Sequence, residues 1–220
     1  MSRTASLAVR AAAAREAYLA FFSAMLEAAA SSDVEGVSEF GVAMDGSDLL
    51  DDVYRFDLVL KEPDGELTSL DFAMEVPPGQ DPPAFVERIG EAVLHVFRLR
   101  WDDVDLHHDL SEPPQDALTA WFHRWFDAAS APGAAADLAE ETELPFPAGR
   151  LHSAELSPGR VTVDFGTAPP EALVELVTLL ESAGARAVQI DLSREDGVEA
   201  DAEEDEDPDD LSPRSGTLLH

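Results

Sequence analysis

Between Trp101 and Leu110 the chain reads Trp-Asp-Asp-Val-Asp-Leu-His-His-Asp-Leu. In extended form this segment puts Asp103, Asp105, His107 and Asp109 on one face, neighbours about 6.6 Å apart, twice the rise per residue. Carboxylates and an imidazole in such a row are hard-cation and borderline-metal ligands, so one expectation is a divalent metal site and a metal-dependent enzyme built on it. The competing expectation is a solvated acidic face, because aspartate is abundant throughout the chain and the remaining metal ligands would have to come from another segment. The other histidines offer less: His123 falls on the polar side of a helix, and His95 and His152 have no partner visible in sequence. Glu140-Glu141 is an acid pair, but glycoside hydrolysis depends on a carboxylate separation in space that adjacency in sequence does not supply. No Gly-x-Ser-x-Gly elbow, phosphate-cradling glycine loop or dinucleotide fingerprint occurs, so no cofactor is expected. Basic residues are too sparse to suggest an anion site.

The elements that would carry these residues can be read from periodicity. Ser6 to about Ser31 is alanine-rich without glycine or proline and favours helix. Tyr18, Phe21, Phe22 and Met25 recur at i, i+3, i+4 and i+7, a stripe that would lie across a sheet. Val37 to Met44 is a weak strand. Val53 to Lys61 alternates, with Tyr54, Phe56, Leu58 and Leu60 expected toward the core. Pro63-Asp64-Gly65 makes a tight turn, and Leu67 to Val76 returns with Leu70, Phe72, Met74 and Val76 on one face. The proline-rich loop Pro77 to Pro83 is expected to open a helix running to about Arg98, which would bury Phe85, Ile89, Ala92 and Val96. A strand over Trp101 to Leu110 follows, then a helix from Gln115 to Ser130 with Leu118, Trp121, Phe122 and Trp125 on one stripe. Ala134 to Glu143 is a candidate short helix and Pro145-Phe-Pro147 a linker.

The clearest unit runs from Arg150 to Ser193: a strand, the turn Ser157-Pro-Gly-Arg160, a second strand to Phe165, a helix opened by Pro169-Pro170 and closed near Gly184, and a strand from Ala187 to Leu192. The same β-β-α-β order is expected upstream, where Asp64 to Phe72 lines up with Pro158 to Phe165. The predicted fold is therefore α+β, antiparallel strands with helices packed on one face, with two β-β-α-β units as one way to build it. Residues 1–144 would form an N-terminal α+β unit, 150–193 a β-β-α-β unit packed on it, and 194–220 an acidic tail that is disordered on composition.

Charge is the most unusual property. The 220 residues carry 46 acids against 14 bases, a formal net charge of −32. Glu195 to Asp210 holds eleven acids and no base; without them 35 acids still face the same 14 bases. Such a surface repels nucleic acid and anionic membranes, whose phosphates are negative, so neither is an expected partner. A basic protein partner is expected instead, with adaptation to a salty medium as the alternative meaning of the acids. There is no cysteine, hence no disulfide or thiolate site. No continuous apolar signal or membrane-length run is present, and a cytoplasmic protein is expected.

Beyond the acidic stretch, residues 211–220 regain apolar character at Leu218 and Leu219, a charged tether with an apolar tip. Ser215-Gly-Thr-Leu218 resembles the cargo-loading tails of proteins packed into bacterial encapsulin shells, which implies a docking role for Leu218 and Leu219. The opening order, helix then three strands then helix, resembles that of acidic secretion chaperones. The functional expectation is a non-enzymatic acidic interaction protein, of chaperone, adaptor or toxin-neutralising type, with the Asp103/Asp105/His107/Asp109 enzyme as the alternative.

Overall fold

The computed structural model of the chain describes residues 6–32, 35–44, 46–74, 82–127 and 149–192. It is an α+β fold of three helices and two sheets among those residues. Helix α1 (Leu7–Ala30) starts at Ser6, whose hydroxyl accepts from Val9 N, one of the amide donors that a helix start leaves without an intrahelical partner. It buries Tyr18 and Phe22 completely, with Phe21 and Met25 packed beside them, as the aromatic spacing predicts.

Strands β1 (Glu35–Ala43), β2 (Val53–Lys61) and β3 (Leu67–Leu70) form an antiparallel sheet in that order. β3 is shorter than the alternation suggests. The amide of Phe72 donates to the Asp57 carboxylate and that of Met74 to Asp102 Oδ2, so the chain leaves the ladder after Leu70 while Phe72 stays in the core. Val76 lies outside the described residues.

The second sheet has six strands, in the order β4 (Phe85–Ile89), β5 (Ala92–Val96), β9 (Ala187–Asp191), β6 (Val104–His108), β8 (Arg160–Asp164), β7 (Ser153–Ser157). All its pairings are antiparallel except β5 with β9. One face is apolar, with Leu94, Val96, Leu106, Val161, Val163, Val188 and Ile190 all buried. Helices α2 (Gln115–Phe126) and α3 (Pro170–Ser182) complete the core. Trp101 stacks on Phe165 at 4.6 Å between ring centroids, and Trp121 Nε1 donates to Ala172 O of α3. No helix among the described residues is long and apolar enough to cross a membrane.

Residues 150–192 fold as the pattern predicts, and the last strand inserts between β5 and β6, so this unit shares a sheet with the N-terminal residues. The expected helix from Pro83 to Arg98 is instead the hairpin β4–β5. Gly90, at φ +56°, begins a two-residue turn with Glu91, the conformation glycine reaches most easily. The register pairs Phe85 with Val96 and Ile89 with Ala92. The four residues assigned to one helical stripe therefore do share a face, but a face of a hairpin. This also breaks the upstream copy of the β-β-α-β unit and the element order likened to secretion chaperones. The candidate helix at Ala134–Glu143, the linker after it and the tail lie outside the described residues.

Candidate functional site

The Asp/His row lies on the polar face of the six-stranded sheet, and its members are dispersed. Asp105, nearly buried, accepts from Arg160 Nε at 2.7 Å through Oδ1 and faces His107 Nε2 at 3.0 Å through Oδ2. Asp103 precedes β6 and pairs with Arg100 Nη2 at 3.0 Å. Asp109 follows the strand and accepts from the amide of Arg186 at 2.9 Å, which holds its carboxyl below the usual range. Among the described residues no three His, Cys, Asp or Glu side chains gather as a metal site. Leu218 and Leu219 lie outside the described residues. His123 sits half-exposed on α2, 2.5 Å from Asp51 Oδ2.

The densest ionisable cluster is elsewhere, around His152. Glu39 of β1 and Asp57 of β2 fall opposite each other in the register that pairs Ser38 with Leu58 and Phe40 with Phe56. Both carboxylates are buried, an arrangement that like charges alone would oppose. The His152 ring, 0% exposed, lies between them, with Nε2 3.2 Å from Glu39 Oε1 and Nδ1 3.1 Å from Asp57 Oδ1. Nδ1 is poorly aligned for a hydrogen bond, so the Asp57 contact is chiefly one of charge. Asp164 of β8 stands 3.8 Å from the same nitrogen.

The carboxylates take further donors. Tyr18 of α1 donates to Asp57 Oδ1 at 2.6 Å, and the Thr167 hydroxyl donates to Glu39 Oε1. Thr167 Oγ1 in turn accepts from the amides of Gly149 and Arg150. The backbone fixes the ring: His152 N donates to Asp164 O, and Arg55 N donates to His152 O, joining the two sheets. Gly166, at φ +48°, lies so close to the imidazole that a Cβ there would overlap it.

Burial by itself would lower the His152 pKa; the contacts with Asp57 and Glu39 and the charge of Asp164 outweigh it and raise it to about 10. The ring is thus an imidazolium at neutral pH. The Asp164 carboxyl is pushed up, by burial first and then by Asp57, against the pull of His152. Arg55 lies 4.1 Å from the Phe126 ring centroid and donates to Glu39 O; burial, then the charge of Arg150, lowers it to about 10. With the imidazole fully enclosed, the chemistry available to this cluster is cohesion: one cation holds two carboxylates and ties β1, β2, α1 and the β7–β8 hairpin together.

Sequence reasoning left His152 without a partner and put Asp57 on the solvent side of β2. The signal that would have found the cluster is the pairing of Glu39 with Asp57 across one ladder, since two acids side by side on a covered strand require a cation between them. Glu39 has a further peculiarity, a left-handed φ of +55°. The strand there buries its acid and turns the next side chain, Phe40, outward to 41% exposure. Val37 of β1, at 44%, and Met44, just past its end, at 43%, are also exposed. β1 is an edge of its sheet, and among the described residues no strand pairs with its outer side. Comparison with protein-family models, curated proteins and solved structures returned no significant match.

Proposed function

We propose that this protein is a non-catalytic binding protein that takes up an extended segment of a basic partner along the outer edge of β1. The observation that carries this reading is the strained, buried Glu39 beside the exposed Phe40 on an edge that no described strand pairs. A left-handed non-glycine residue costs roughly 1–3 kcal/mol and persists where the surroundings impose it; here the imposition comes from His152 and Thr167. Open edges invite pairing, and folded proteins usually blunt them with charge, proline or bulges. This edge instead presents Val37, Phe40 and Met44. Strand addition would pair the outer side of β1 while the apolar side chains supply affinity. The net charge of −32 steers cationic chains toward the molecule.

The test is calorimetric titration of the full chain with a synthetic peptide of alternating lysine and valine. Binding should weaken steeply with salt, and Phe40→Glu should weaken it about tenfold, the loss of one buried aromatic contact. Absence of binding at low salt, or binding unchanged in Phe40→Glu, overturns the reading.

A further inference from the structure

A second apolar surface lies beside α1, where three arginines line one cleft. A cleft of about 220 Å³ opens between α1 and the segment after β5. Its walls are Ala13, Ala14 and Ala17 on the helix and Val96, Leu99 and Trp101 across from them, and Arg10, Arg98 and Arg100 also line it. Three of the chain's 14 basic residues thus meet at one cleft of a strongly acidic protein. Trp101 is fully buried, and its Nε1 has no acceptor among the described residues.

The described residues end beside this cleft. β9 runs parallel to β5, Phe97 N donates to Ile190 O at 2.9 Å, and Arg98 Nε meets Asp191 Oδ1 at 2.6 Å. Leu192 is the last described residue, and the acidic stretch begins at Glu195. The first acid of the exit, Asp191, is therefore already on an arginine of the cleft.

We propose that this cleft is the docking site of the chain's own residues 195–219, with Leu218 and Leu219 in the apolar interior and the acids of Glu195–Asp210 against Arg10, Arg98 and Arg100. Three observations converge on this occupant. The cleft is apolar within, as the Leu218-Leu219 tip is. Its arginines, two of which already hold Asp191, Asp102 and Asp103, are opposite in charge to the eleven acids of Glu195–Asp210. Leu192, the last described residue, follows Asp191 on Arg98, and at about 3.3 Å or more per extended residue the chain beyond it has ample reach to double back. Closing such a loop costs little more as it lengthens. The arginines keep their contacts with Asp191, Asp102 and Asp103 and add to them, since a guanidinium has five N–H donors.

Because the chain has no cysteine, Thr217→Cys gives a single attachment point for a nitroxide label on the full-length protein. Paramagnetic broadening of the amides of Ala13, Ala17 and Leu99 is expected in low salt. It should fall at least threefold in Leu218→Glu/Leu219→Glu, with the remaining amide spectrum unchanged as a check on the fold. A mixture of labelled unenriched and unlabelled enriched protein should show no broadening at these positions. Absence of broadening at the cleft, broadening indifferent to the double substitution, or broadening only in the mixture, where a second copy is the occupant, each overturns the proposal.

Discussion

His152 holds two carboxylates that would otherwise repel each other inside the fold, so its loss should be costly. Removing one partner of a buried ionic group leaves the others uncompensated, at about 3–5 kcal/mol. His152→Gln should destabilise the protein by that amount in chemical denaturation. Its folded pKa of about 10 lies above the ordinary histidine value. The sign follows: the folded state holds this proton more tightly, so the contribution is complete below about pH 6.5, declines above it, and is lost as pH rises through about 10. Melting temperatures measured from pH 6 to pH 10 should therefore fall with rising pH, and the decline should be shallower in His152→Gln. Gly166→Ala tests the same packing from the backbone side. It combines a left-handed φ with a Cβ placed in the imidazole, and a loss of about 2 kcal/mol or more is expected from strain and overpacking together. None of this was visible in composition or periodicity. His152 has no sequence neighbour that explains it, and the alternation of β2 assigns Asp57 to water, because alternation reports faces and is blind to a cation arriving from another sheet.

At the scale of elements, the legible parts were those whose pattern admits one solution. The α1 stripe, the β2–β3 turn, and the strand-strand-helix-strand run from Arg150 all form as read, since proline, glycine and strict alternation fix them locally. The Pro83–Arg98 segment failed because Phe85, Ile89, Ala92 and Val96 satisfy two geometries at once. They lie at helical spacing, and they also pair across a hairpin with a two-residue turn. Tertiary packing against α1, where Leu7 N donates to Glu87 and Arg10 sits over the Phe85 ring, selects the hairpin. Gly90→Ala distinguishes the two by sign. In a helix it would stabilise by roughly 0.5–1 kcal/mol. In the hairpin the left-handed turn makes it destabilising by about 1 kcal/mol, read from the denaturation midpoint; the nearby Glu181 carboxylate can move aside. The metal row had the opposite history. Its extended strand formed, but Asp103 and Asp109 lie just outside its two ends, and Asp105 is engaged by Arg160 and His107, contacts no one-dimensional spacing can show.

At the scale of the molecule, the acids set a hazard. Their mutual repulsion destabilises the fold at low ionic strength, and screening lengths shrink to about 10 Å at 0.1 M salt. If the charges serve a partner, thermal stability should climb over the first few tenths molar of KCl, roughly the range in which screening completes, and then level off. A continued steep rise into the molar range would assign the acids to salt adaptation. The central claim is narrower than the charge, however: it is that the outer side of β1, pushed into shape by Glu39, is where another chain is received. Amide hydrogen exchange of the full chain, with and without the alternating lysine–valine peptide, reads that edge directly. The account predicts added protection concentrated between Glu35 and Ala43, with β4 and β7, the edges of the other sheet, unchanged. Protection at those edges with β1 left as before, or no change anywhere on a bound protein, would contradict it.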